Sequence, residues 1–166
     1  MRVYFDVSFY REKKHKYYMN VEQMNRLLKT HIPLCGFMEL AIKSLESHSI
    51  IATAPIQPNR NMHGTGFAGA QYSLAVATGW ALVQNRLDVA GMEGQLVVRE
   101  ATIHYKYPVT SDITLKAEFE VEMNDSELRS KMAEEGRINF PLTIAIYSED
   151  KRCAYLNADY VVLGRA

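Results

Sequence analysis

Hydrophobic and polar positions alternate without a break from Asp112 to Glu122. Ile113, Leu115, Ala117, Phe119 and Val121 oppose Thr114, Lys116, Glu118, Glu120 and Glu122. A period of two with a single apolar face predicts a half-buried antiparallel strand. Ser49 to Ile56 has the same period, with Ile50, Ala52, Ala54 and Ile56 on one side. So does Gln95 to Tyr107, where Val97, Ala101, Ile103, Tyr105 and Tyr107 oppose Glu100, Thr102, His104 and Lys106. Ile138 to Ile146 and Cys153 to Leu163 repeat it, joined by the turn-forming Ser148-Glu149-Asp150-Lys151. Helical spacing governs Val21 to Thr30, with Met24, Leu27 and Leu28 as its stripe. Asn124 with Glu127 three residues on forms a capping box that predicts a helix to Glu135, ended by Gly136.

One segment follows neither period. From Asn61 to Asn85, 25 residues pass without an Asp, Glu, Lys or Arg. Its C-terminal part, Gly66 to Arg86, is rich in Ala and Gly and carries Phe67, Leu74, Val76, Trp80 and Leu82. A bilayer span needs about 20 predominantly apolar residues; here Gln71, Tyr72, Ser73, Thr78 and Gln84 dilute the run. A helix apolar on nearly every side then belongs in a core. Gly79 costs such a helix about 1 kcal/mol relative to Ala, a cost that close packing would justify. The order is helix, strand, buried helix, four strands. Each strand has one apolar face to cover, and the helix is the only large apolar object. The expectation is an α+β fold, an antiparallel sheet wrapped around a long buried central helix.

Composition sharpens this only slightly. With 166 residues, 48% hydrophobic and 23% charged, the chain reads as one domain over 21–166, with 1–20 an N-terminal extension of unknown role. Lys+Arg and Asp+Glu both number 19, for a net charge of zero. That balance, and the lack of a basic–aromatic stripe along the chain, argue against nucleic acid. Asp6 interrupts the first apolar stretch and the cluster Arg11 to Lys16 follows it, the reverse of a secretory signal. Cys35 and Cys153 are too few for a disulfide framework and have no metal-ligand spacing. A reducing cytoplasm and no metal are expected.

Candidate chemistry gathers where the charges are missing. Gly64-Thr65-Gly66-Phe67-Ala68-Gly69 matches G-x-G-x-x-G, and Asp88 lies nineteen residues past the last glycine. A dinucleotide fold needs a tight strand-to-helix turn before the glycines and a second parallel strand after the helix. Pro58 and a loop occupy the first place, and the second has no room. What survives is a glycine-rich helix N-terminus, whose backbone N–H groups and macrodipole favour negative charge. Such groups can stabilise a thioester oxyanion or an enolate; the rival reading keeps the glycines for packing alone. Asn61 and His63, with Asn59 upstream, sit at the mouth of that helix. Asn61 brings an amide without charge, and His63 can act as acid, base or donor. Each is otherwise a loop-capping residue.

These residues resemble those of a known family. His31-Ile32-Pro33-Leu34, the run Ala54 to Gly69 with its Pro-Asn-x-Asn-x-His-Gly-Thr-x-Phe element, Gly79-Trp80, and Ile103-His104-Tyr105-Lys106-Tyr107-Pro108-Val109 are similar to the YiiD C-terminal family of hotdog-fold thioesterases. The resemblance spans about Val21 to Leu163. It implies a hotdog fold, a homodimer or higher oligomer with sites between subunits, and an acyl thioester carried on coenzyme A or acyl carrier protein, with no further cofactor. Members include malonyl-acyl-carrier-protein decarboxylases, in which the catalytic asparagine corresponds to Asn61. This chain departs from the family pattern at Glu100, where an Asp is usual, at His104, where an Arg is usual, and at Ala68-Gly69-Ala70 in place of Gly-Gly-Ser.

Many hotdog thioesterases place a carboxylate on the central helix nine residues after the His of a His-Gly pair; Tyr72 stands there in this chain. Water needs a general base, whose contribution is about 10²–10⁴-fold. Loss of CO₂ from a malonyl thioester needs none, and an acid on the helix would repel the substrate carboxylate. The expectation therefore favours malonyl-thioester decarboxylation, with Asn61 and His63 as catalytic residues, the N–H groups of 64–69 for the oxyanion, and Asn59 and Tyr72 lining the pocket. The first alternative is a thioester hydrolase using Glu100 or His63 as base, which requires Glu100 to face the cleft and not solvent. The second is a non-catalytic acyl-thioester or carrier-binding module.

Overall fold

The computed structural model describes residues 19–164, so the expectations placed on 1–18 lie outside the described residues. Two helices come first. α1 (Val21–His31) is held at its start by a capping box between Asn20 and Gln23 and buries Met24, Leu27 and Leu28. Asn25 fastens it to the sheet, accepting from the Ile42 N–H at 2.7 Å and donating to the Ile42 carbonyl at 3.0 Å. α2 (Pro33–Phe37) follows after Ile32, with proline at a first-turn position where its missing N–H costs nothing.

Six strands form one antiparallel sheet: β1 (Ala41–Leu45), β2 (Ser49–Ala54), β3 (Gln95–Tyr105), β4 (Ile113–Glu118), β5 (Arg137–Ser148) and β6 (Lys151–Leu163). Their order across the sheet is β1-β2-β4-β5-β6-β3, so β3 lies at an edge. Between β2 and β3 runs α3 (Ala68–Ala90), 23 residues and about 35 Å long. Leu74, Ala75, Ala81, Leu82 and Leu87 are buried along it against the inner side of the sheet. The central helix and the α+β sheet around it are as expected. α4 (Asp125–Glu135) starts on the foreseen Asn124–Glu127 capping box and stops at Gly136 in the left-handed conformation.

Gly79 has the packing role proposed for it. A Cβ there would lie 2.2 Å from the Tyr160 hydroxyl oxygen. Tyr160, fully buried on β6, lies across the helix and donates to the Val76 carbonyl at 2.8 Å. Burial pushes its phenol far above the usual range, so it remains a neutral donor.

Several boundaries differ from the pattern. α2 and β1 were not anticipated. α3 begins two residues later and runs four residues further than expected, because Arg86 turns back to Asp125 at 2.8 Å and Gly91 (φ 62°) supplies the stop. β4 ends at Glu118 although the alternation continues to Glu122, because its neighbour β2 begins opposite that residue, at Ser49. On β3 a bulge between Val98 and Glu100 shifts the phase. Leu96 and Val98 therefore join Ala101 and Ile103 against the core, and Val97 turns outward.

Candidate active site

The lead-in to α3 is built from the charge-free segment. β2 ends at Ala54, before Pro55, and a short 3₁₀ turn over Gln57–Asn59 follows. Asn59 is buried, and its amide donates to the carbonyls of Met38 and Pro55, both at 2.8 Å. The Asn59 backbone carbonyl takes the Phe67 N–H at 2.7 Å. Asn59 is thus the pin that ties the loop to the residues between α2 and β1, set back from the surface.

Between Arg60 and Gly66 the chain doubles back, with the Asn61 N–H on the Thr65 carbonyl at 2.7 Å. Gly64 supplies the φ of 78° that the reversal needs. The Asn61 side chain closes the turn. Its Oδ1 accepts from the N–H groups of His63 at 2.9 Å and Thr65 at 3.2 Å, and its Nδ2 donates to Thr65 Oγ1 at 2.9 Å. An oxygen that accepts two backbone N–H groups fixes which end of the amide is which. One Nδ2 hydrogen remains for a ligand. Gly66 packs on Val109, where a Cβ would come within 2.9 Å, and donates to the Val109 carbonyl at 2.8 Å. At Gly69 a Cβ would lie 2.6 Å from the Phe67 ring. The glycines therefore serve one reversal and two close approaches, which the packing reading requires.

The helix N-terminus is nonetheless open in the chemical sense. No side chain caps α3 and no acid stands in its first turn. The Gln71 N–H bonds to the Phe67 carbonyl, leaving the first three N–H groups, of Ala68, Gly69 and Ala70, without intrahelical partners. Tyr105, from the end of β3, donates its hydroxyl to the Ala68 carbonyl at 2.7 Å and so braces this first turn. Burial, with Tyr72 beside it, raises the Tyr105 phenol above its usual range.

One turn further on, α3 borders a groove of about 460 Å³ lined by Leu34, Cys35, Met38, Tyr72, Val76 and Trp80 and closed on one side by the start of β3. No carboxylate belongs to its lining. Burial pushes the Cys35 thiol up to about 11, so it is a packing residue without thiolate character.

The expected site residues separate into two groups. Asn61, Thr65 and Phe67 come together at the head of α3, with the exposed His63 held there by its backbone N–H alone and Tyr72 at the start of the groove. Of the N–H groups expected at 64–69, those of Gly64, Thr65, Gly66 and Phe67 are taken up by Asn61, Val109 and Asn59, which leaves those of Ala68 and Gly69. Glu100 does not join them. It is exposed on the outer face of the sheet, opposite Asp159, with α3 on the other side. Tyr105 and the groove residues Leu34, Met38 and Trp80 were missed as site residues. The inward alternation of Tyr105 was a usable signal; the five-residue α2 gave none. Among the described residues no His/Cys/Asp/Glu group could hold a metal, and no helix is long and apolar enough to cross a membrane.

Comparison with known proteins agrees with this architecture. A family described as "Putative thioesterase (yiiD_Cterm)" matches residues 21–164. A structure titled a "putative thioesterase" from Shewanella oneidensis is 27% identical, with a TM-score of 0.77 over 86% of this chain and 96% of that one. A Chlorobaculum tepidum protein of unknown function is 26% identical, TM-score 0.78, covering 89% and 99%. A thioesterase from Haemophilus influenzae, at 19% identity, shares the fold with a TM-score of 0.70 over 90% and 94%. The chain belongs to the YiiD C-terminal thioesterase family, within the hotdog thioesterase superfamily.

Proposed function

We propose that the protein is a homodimeric enzyme that decarboxylates a malonyl thioester carried on coenzyme A or on a carrier protein. The observation that carries this reading is the absence of any carboxylate from the head of α3 and from the groove beside it, with Glu100 on the far face of the sheet. Hydrolysis needs a base to activate water at the thioester carbonyl. Decarboxylation needs the substrate carboxylate to be unrepelled and the thioester oxygen to be met by donors as it gains charge. The free Nδ2 hydrogen of Asn61 and the N–H groups of Ala68 to Ala70 are such donors. The bond from the methylene carbon to the carboxylate breaks and CO₂ leaves. Its electron pair moves into the enolate, whose oxygen these donors stabilise by several kcal/mol. The carbon then takes a proton from solvent or from His63, giving the acetyl thioester. The groove beyond Tyr72 would receive the acyl part or the arm that carries it.

The test is to offer malonyl and simple acyl thioesters and follow acetyl-thioester by mass spectrometry and free thiol by a colorimetric reagent. Acetyl-thioester without thiol is the expected result. Thiol release without acetyl product would overturn it in favour of hydrolysis, with His63 the remaining base; neither product at any chain length would leave a binding module.

A further inference from the structure

Lys106, Lys116, Lys151 and Arg152 are scattered in sequence, but the sheet assembles them on one end of its outer face. Lys116, Ala145, Tyr155 and His104 are register partners in a row across β4, β5, β6 and β3. The neighbouring row places Tyr147 opposite Arg152. Arg152 lies 4.8 Å and Lys106 5.9 Å from the centre of the same Tyr155 ring, whose flank is stacked on His104 at 4.7 Å. Lys116 lies 5.1 Å from Tyr147, and Lys151 3.5 Å from Tyr107. All four cations are exposed, and among the described residues none forms an ion pair.

Stability alone does not account for this. Two like charges over one ring repel, and a carboxylate between them would relieve the repulsion. The fold does supply carboxylates elsewhere on the same face. Glu118 lies in the next row, two residues from Lys116 on β4, and Glu100 and Asp159 lie one row beyond, the last paired with Arg99. Glu149 and Asp150 stand at the tip of the β5–β6 turn, and Asp112 Oδ1 is occupied by the Ile56 N–H. The two rows nearest the β5–β6 turn thus carry the cations, and the carboxylates of the face begin in the row after them. The cationic end is also the end at the candidate site: Tyr105 reaches the first residue of α3, Val109 accepts from Gly66, and Lys106 and Tyr107 lie between them in the chain.

We propose that this patch docks an acidic carrier domain that presents its thioester on a phosphopantetheine arm, so that the arm enters past Tyr105 to the head of α3. This rests on the thioester reading of the site and names its partner. Several separate cations on a pleated face suit the dispersed carboxylates of a protein surface. A single nucleotide phosphate would be held by a convergent cradle.

The test uses the full chain and its Lys106→Glu/Arg152→Glu variant. Turnover is measured on malonyl-loaded bacterial acyl carrier protein, malonyl-coenzyme A and the malonyl thioester of N-acetylcysteamine, which has neither carrier nor phosphate; binding of the holo carrier and of a 20-nucleotide RNA is measured by calorimetry. The expected result is a rise in KM, or a loss of carrier affinity, of roughly tenfold or more, shrinking with added salt. The N-acetylcysteamine thioester, reacting as before, shows that the variant folds and its chemistry is intact. An equal loss with coenzyme A, unchanged carrier binding, or RNA binding in place of carrier binding would overturn the proposal. If no thioester reacts but the carrier binds and the variant abolishes it, the docking surface stands and the catalytic reading falls.

Discussion

At the scale of single residues, Asn61 holds two jobs that substitution can separate. Its Oδ1 caps the turn over 61–65, and its remaining amide hydrogen is the donor assigned to the enolate. Asn61→Ala removes both, and should cost about 1–2 kcal/mol of stability together with most of the turnover. Asn61→Asp retains an acceptor for the His63 and Thr65 N–H groups but brings a negative charge to the place the malonyl carboxylate must approach. It should melt close to the parent while acetyl-thioester formation falls by about 10²-fold or more. Thermal melting beside rate measurement decides it. An aspartate variant that keeps its rate would reduce Asn61 to a turn residue.

α3 carries the predictions that belong to an element. Ala favours helix over Gly by about 1 kcal/mol, yet Gly79→Ala would drive a methyl into the Tyr160 ring. The clash should win, costing about 1–3 kcal/mol net and lowering the melting temperature by roughly 2–4 °C per kcal/mol. Near the C-terminal end, burial raises the Asp88 carboxyl from 3.8 to about 6, Gln84 offsetting part of this with a 3.0 Å hydrogen bond to Oδ1. Its other oxygen is buried without a partner. Between about pH 4 and 6 the folded chain holds a proton that the unfolded chain has released. Stability therefore falls as pH rises through that window and stays lower above it, by about 3 kcal/mol at most. Asp88→Asn should melt higher than the parent at pH 7.5, the difference closing by pH 4. Equal melting at both pH values would show that the carboxylate is solvated.

The elements also show what the sequence could disclose. Periodicity found α1 and the strands from β2 to β6, the Asn124–Glu127 capping box found α4, and the long charge-free apolar run found α3. β1 was hidden because Lys43 and Ser44 break its alternation, and α2 because five residues from Pro33 to Phe37 carry no period. The side on which Val97 lies was misjudged because a bulge obeys the partner strand, which the local pattern does not contain. The head of α3 was legible because its residues are contiguous. The groove and the cationic patch were not, since the groove joins α2, α3 and β3, and the patch joins four strands, only through the tertiary fold.

For the whole molecule, the open edge of β3 poses the remaining question. Eleven residues of strand lie there, and among the described residues nothing pairs with their outer side. A long free edge templates aggregation unless it is covered. Exposed apolar side chains gather beside it: Leu34, Tyr72 and Val97 border the groove, with Phe37 nearby on α2. Pairing β3 with the same strand of a second copy satisfies the edge by a two-fold, self-complementary contact and roofs both grooves at once. A roofed groove suits an acyl chain far better than one half open to water. The proposed dimer is therefore part of the site, and losing it should cost activity as well as mass. Val97→Lys puts a cation near its own symmetry mate on an outward-facing position whose packing in the monomer is slight. The expected outcome is a dimeric parent in sedimentation equilibrium and a monomeric, folded variant with turnover reduced by about tenfold or more. A monomeric parent with full activity would place the whole site within one chain.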